Sequence, residues 1–176
     1  MTPDETRPLH EILWDGASDL ARPPESGGAP PPVSVMGALM LTHTALEAYI
    51  NHVGARAAPE VWADEKAHFT ATPHRGILGK LNWLCERLDV AQDWGARPWQ
   101  TLKALDTWRN RLAHGKADDD APRDLLDACT PADLATSREA VREVCMRLHA
   151  AAARRFKLEG KAARGPFGDM NDSAEA

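Results

Sequence analysis

Trp99-Gln100-Thr101-Leu102-Lys103-Ala104-Leu105-Asp106-Thr107-Trp108-Arg109-Asn110-Arg111-Leu112-Ala113-His114-Gly115 decides how the rest of this chain is read. Leu102, Leu105, Trp108 and Leu112 recur at three- and four-residue steps, the spacing that lines one face of an α-helix. Pro98 suits the first turn, where a missing N–H costs nothing, and Gly115 suits the residue past the end. An amphipathic helix is predicted from about Pro98 to His114.

The same period continues on both sides. At about 100° per residue, Val33 to Arg56 brings Met36, Leu39, Met40, Leu46, Ile50 and Val53 to one face. Pro73 to Leu88 aligns Ile77, Leu81, Leu84, Cys85 and Leu88. Thr130-Pro131-Ala132-Asp133 has the form of a capping box and opens a helix that carries Leu134, Val141, Cys145, Leu148 and Ala152 inward. Glu60 to Phe69 adds a short helix. Amphipathic helices joined by modest connections predict an all-α fold, a four-to-five-helix, mainly antiparallel bundle. Composition agrees: Ala, Leu, Arg and Glu are abundant, runs of β-branched residues are scarce, and the aromatic 6% contains six Trp and one Tyr.

A chain of 176 residues suits one domain with tails. Residues 1–32 read as a short helix, Pro8 to Ala21 with Leu9, Ile12, Leu13 and Leu20 as its apolar side, followed by a Pro/Gly-rich linker. Residues 33–158 form the bundle, and 159–176 a polar, disordered tail. The N-terminus lacks a basic-then-apolar leader, and no apolar run approaches the roughly 18 residues of a membrane span. The three Cys have no paired spacing and read as reduced core thiols. A cytoplasmic protein without membrane association is expected.

The net charge of -5 argues against a protein that coats nucleic acid by bulk electrostatics. The distribution is local, however. Arg97, Lys103, Arg109, Arg111 and Lys116 face a single acid, Asp106, before the run Asp118-Asp119-Asp120 begins. Such a patch suits a grip on one phosphate.

Polar residues on the apolar faces mark a candidate site. With Leu102 at zero, Arg109 falls at about 340°, inside the stripe, and an inward guanidinium needs an anionic partner or a solvated opening. His43 and Glu47, one turn apart, interrupt the stripe of the Val33–Arg56 helix. One shared polar site is expected, with Glu47 paired to Arg109 and His43 beside them, either for structure alone or to hold Arg109 at a phosphate. Asn110 and His114 lie about 40° apart, whereas Arg109 and His114 diverge by about 140°. Either the helix frays at its end, or two copies meet across a two-fold axis and share a cleft. Arg111, about 180° from Leu102, belongs to the solvated face. His114 and Lys116 suit capping of the helix end, or contact with a phosphate.

Arginine, an amide and an imidazole suffice for metal-free phosphodiester cleavage: the cation neutralises charge on phosphorus and the imidazole moves the proton. Trp108-Arg109-Asn110-Arg111-Leu112-Ala113-His114-Gly115 resembles the signature of the HEPN superfamily of small helical domains, and Ala45-Leu46-Glu47-Ala48-Tyr49-Ile50-Asn51 is similar to a first-helix run common among them. The resemblance implies a HEPN-like bundle from about Val33 to Leu158 and RNA cleavage by Arg109 and His114 as the catalytic pair, with Asn110 as the polar residue after the Arg. It also implies a composite site in a homodimer. Glu47, His43, Arg111 and Lys116 are the expected supporting residues, and neither metal nor cofactor is expected. A toxin or defence effector with an antitoxin or other regulatory partner fits the resemblance. Lys116, however, stands where toxins controlled by a nucleotidyltransferase antitoxin often carry a modified Tyr. The alternative is a HEPN-like adaptor that binds and dimerises without catalysis.

Other chemistries find less support. The seven His show no paired ligand spacing beyond His43 and Glu47, and no glycine-rich phosphate loop or serine elbow occurs. Interleaved basic and aromatic residues of the kind that read single strands are not apparent either.

Overall fold

The computed structural model describes residues 7–113, 129–156 and 165–167. These form helices α1 (Leu9–Ala21), α2 (Pro32–Ala57), α3 (Pro59–Ala63), α4 (Glu65–Phe69), α5 (Gly76–Leu88), α6 (Trp99–Ala113) and α7 (Pro131–Phe156), with no strand among the described residues. The fold is all-α.

Helix α2 is the axis of the molecule, in contact with α1, α3, α5, α6 and α7. A helix enclosed on several sides must be apolar over more than one stripe. Accordingly α2 buries Val35, Ala38, Ala45 and Tyr49 as well as the expected Leu39, Leu46, Ile50 and Val53. Met36 and Met40 are only half-buried at its edge. By length and composition α2 is apolar enough to cross a membrane, which differs from the sequence expectation; here its apolar residues supply the core. The faces expected of the other long helices meet it. Ile77, Leu81, Leu84, Cys85 and Leu88 of α5, Leu102 and Leu105 of α6, and Leu134, Val141, Cys145, Leu148 and Ala152 of α7 are all buried. The thiols of Cys85, Cys129 and Cys145 are free and buried. Burial pushes the Cys85 thiol up to about 12 and raises Cys145 as well, as expected of inert core thiols.

The capping box at α7 is reciprocal: Thr130 Oγ1 accepts from the Asp133 N–H (3.2 Å), and Asp133 Oδ2 accepts from the Thr130 N–H (3.1 Å). At the opposite side, Lys80 is buried, donating to Glu65 Oε2 (2.6 Å) and Asn51 Oδ1 (3.0 Å), while the same Asn51 oxygen accepts from Trp62 Nε1 (3.2 Å). This knot fastens α3 and α4 to α2 and α5.

Helix α1 and residues 165–167 pack against the rest of the described structure. Helix α1 packs along α2, with Gly16 close to Leu41, Gly37 close to Leu20, and Ala17 fully buried. Its inner side carries His10, Glu11, Trp14 and Ala17, so Leu9 (62% exposed) and Ile12 (51%) face outward, the reverse of the expected orientation. Periodicity identifies a stripe; close approach is decided by size, and the small Gly16 and Ala17 let α1 settle on that side. Within the segment read as a tail, Phe167 stacks on Trp14 (centroids 4.1 Å apart, planes at 11°), and the Arg138 guanidinium lies 4.0 Å from the same indole.

Candidate active site

The inward polar residues of α2 and α6 do meet, through a carboxylate that was not singled out. His43 is 2% exposed, and its Nε2 lies 3.0 Å from Asp106 Oδ1. A carboxylate only accepts, so this contact places hydrogen on Nε2, while Nδ1 is buried without a partner among the described residues. The other oxygen of Asp106 accepts from Asn110 Nδ2 (3.1 Å), one helical turn on, and Asn110 Oδ1 accepts from Arg109 Nη1 (3.0 Å). Hydrogen bonds therefore run without a break from His43 through Asp106 and Asn110 to Arg109.

The expected Glu47–Arg109 pair does not form. Glu47 is half-buried and stands outside the network. The helices cross with His43, one turn earlier, against Asp106, and a wheel drawn for one helix does not specify which residues of a facing helix it meets. Arg109 is half-buried instead of core-facing, and it makes no ion pair among the described residues. Arg111 is exposed, as its angle implied. His114 and Lys116 lie outside the described residues. Asp106 was legible in principle, since it stands three residues before Arg109 and four before Asn110, spacings that make neighbours on a helix.

On the outer side of α6, Lys103, Thr107, Trp108 and Arg111 line an open groove of about 450 Å³ with Trp94 from the preceding loop. Cations and indoles are thus interleaved in space where they are not in sequence. Among the described residues, no group of three His, Cys, Asp or Glu is placed to hold a metal ion. No protein-family model, curated protein or solved structure matches the chain, so the site is read from its geometry and its sequence motif.

Proposed function

We propose that this chain is a metal-independent endoribonuclease whose site is built at the C-terminal turn of α6. The observation that carries the reading is Arg109: a half-buried cation with no ion pair among the described residues, tethered to an amide that is itself held by Asp106 and His43. A guanidinium in a carboxylate's grip is neutralised. One steadied by a neutral amide keeps its charge and most of its donors for a phosphate.

In this mechanism the RNA 2′-oxygen attacks the adjacent phosphorus and the P–O5′ bond breaks. The products are a 2′,3′-cyclic phosphate and a 5′-hydroxyl. The proton leaving the 2′-OH passes to an imidazole, and a proton reaches the departing 5′-oxygen from a second. His114 is assigned this transfer, with its counterpart in a second copy of the chain completing the acid–base pair in a homodimer. Arg109 stabilises the charge that builds on the phosphorane oxygens. Asn110 is engaged at both ends of its amide, so it acts as a positioning residue for Arg109, as do Asp106 and His43 behind it. The groove along Lys103, Trp108 and Arg111 is the proposed track for the strand. A cytoplasmic setting suits the buried free thiols, and a toxin or defence role under a regulatory partner belongs to the same proposal.

The test is cleavage of structured and unstructured RNA by the wild-type chain and by Arg109→Ala and His114→Ala. The reading requires wild-type cleavage indifferent to chelator, no cleavage of DNA, and loss in both variants. One observation favours the adaptor reading, in which the helices bind and dimerise only: Asn110 and Asp106 are fully accounted for by structural bonds. If wild type and His114→Ala leave every RNA equally intact, that reading wins.

A further inference from the structure

About two turns beyond His43, α2 contributes to a second polar cluster that the nuclease reading does not use. A cavity of about 190 Å³ lies between α1, α2 and α7, and its walls include His10, Tyr49, His52, Arg56 and His149. Gly165 and Pro166 line the same cavity. Pockets for drug-sized ligands start near ~300 Å³, so this one is sized for a small group.

Its hydrogen bonding is incomplete in one direction. Tyr49 is 2% exposed, and its hydroxyl lies 3.2 Å from His149 Nδ1. Burial holds the phenol well above its ordinary pKa, so it keeps its proton and donates to Nδ1. The proton of a neutral His149 ring then sits on Nε2, which is buried and has no acceptor among the described residues. A buried donor without an acceptor costs about 1–3 kcal/mol, so the ring is set up for something that accepts. Among the described residues the wall carries one cation, Arg56, and one carboxylate, Glu11. Arg56, on α2, spends one N–H on the His52 carbonyl (3.1 Å) and forms no ion pair among the described residues. The His10 ring, whose centroid is 4.7 Å from that of His52, is hydrogen bonded to the Pro166 carbonyl. The carboxylate that the described residues contribute to the wall, Glu11 of α1, is engaged by Arg7 (3.3 Å). The three imidazoles do not form a metal-ligand set.

We propose that this cavity binds a compact oxyanion, a phosphate group, through His149 Nε2–H, the His10 and His52 rings, and Arg56. Without an anion, burial and the neighbouring positive charge of Arg56 hold His10 and His52 below the ordinary histidine pKa. A bound phosphate supplies the opposite charge and a set of acceptors, which favours protonated rings, so binding takes up protons. The site is separate from Arg109 and does not depend on nuclease activity.

The experiment uses the full chain and inorganic phosphate. Imidazole ¹⁵N signals are followed by NMR, with calorimetry at pH 6 in two buffers of different ionisation heat. Saturable shifts of the His10, His52 and His149 signals with net proton uptake are expected. Arg56→Gln, a change at an exposed side chain, should weaken binding tenfold or more while leaving the circular dichroism spectrum and RNA cleavage unchanged. Arg109→Ala should leave these histidine shifts intact. Adenosine monophosphate distinguishes the source: tighter binding than inorganic phosphate assigns the cavity to a phosphate monoester, and weaker binding assigns it to the free ion. Absence of saturable histidine shifts at millimolar phosphate, or equal binding by Arg56→Gln, overturns the proposal. Either result leaves the nuclease reading untouched.

Discussion

His43 Nε2 lies 3.0 Å from Asp106 Oδ1, which ties the buried middle of α2 to α6 one turn before Asn110. The bond is the inner end of the network that reaches Arg109, and it joins residues 63 positions apart in the chain. Its loss leaves a nearly inaccessible imidazole with neither ring nitrogen partnered among the described residues. Asp106→Ala is therefore expected to destabilise the fold by about 1–3 kcal/mol. In a double-mutant cycle with His43→Ala, a coupling of about 0.5 kcal/mol or more is expected, measured by denaturant unfolding. Additive effects of the two substitutions would show that the contact carries no energy.

Replacement of Arg109 or His114 by Ala should slow RNA cleavage about a hundredfold or more, the usual cost of a charge-stabilising or acid–base group. Asn110→Ala should cost less, should leave the pH profile in place, and should add little to Arg109→Ala, because a positioning residue acts through the group that it positions. An additive loss, or a shifted pH profile for Asn110→Ala, would assign Asn110 to the chemistry itself.

Acid should weaken the fold through His10. This ring is 4% exposed, and burial, followed by the charges of His52 and Arg56, lowers its pKa from 6.5 to about 4. Between those values the unfolded chain binds a proton that the folded chain refuses. Stability thus falls as pH drops from 6.5 toward 4, by about 3 kcal/mol in full for this group. The lowered His52 adds to the same trend. Urea midpoints measured across this range should fall with acidification, and His10→Gln should flatten the slope. A midpoint that rises toward pH 4 would contradict the assignment.

Two glycines are expected to resist substitution for steric reasons. A Cβ at Gly79 would stand 2.0 Å from the His74 backbone carbonyl carbon, and one at Gly54 would stand 2.1 Å from the Trp62 indole. Gly79→Ala should destabilise by about 1–3 kcal/mol, since backbone cannot swing aside. Gly54→Ala is expected to show lost fluorescence burial of Trp62 along with its stability change. Gly95→Ala, which meets only the Asp93 carboxylate at 3.3 Å, serves as the near-neutral control in thermal unfolding.

The helices were legible because each is a local repeat. Apolar residues at three- and four-residue steps, the Thr130–Asp133 box and the prolines at helix starts specify where α2, α5, α6 and α7 run and which side chains of α5 and α7 are buried. The motif residues Arg109 and Asn110 were visible for the same reason: they are adjacent, late in one such helix. What periodicity does not contain is the partner. Which side of α1 faces inward was settled by the close fit of Gly16 and Ala17 against α2, at the cost of exposing Leu9 and Ile12. That His43 meets Asp106 and not Arg109, and that His10, Tyr49, His52, His149 and Pro166 surround one cavity, depends on how α1, α2, α6 and α7 cross. A helix's own pattern determines which side chains leave the solvent. Only the rotation and crossing of packed helices determine what each of them touches, because those contacts join residues far apart in the chain through the geometry of close packing.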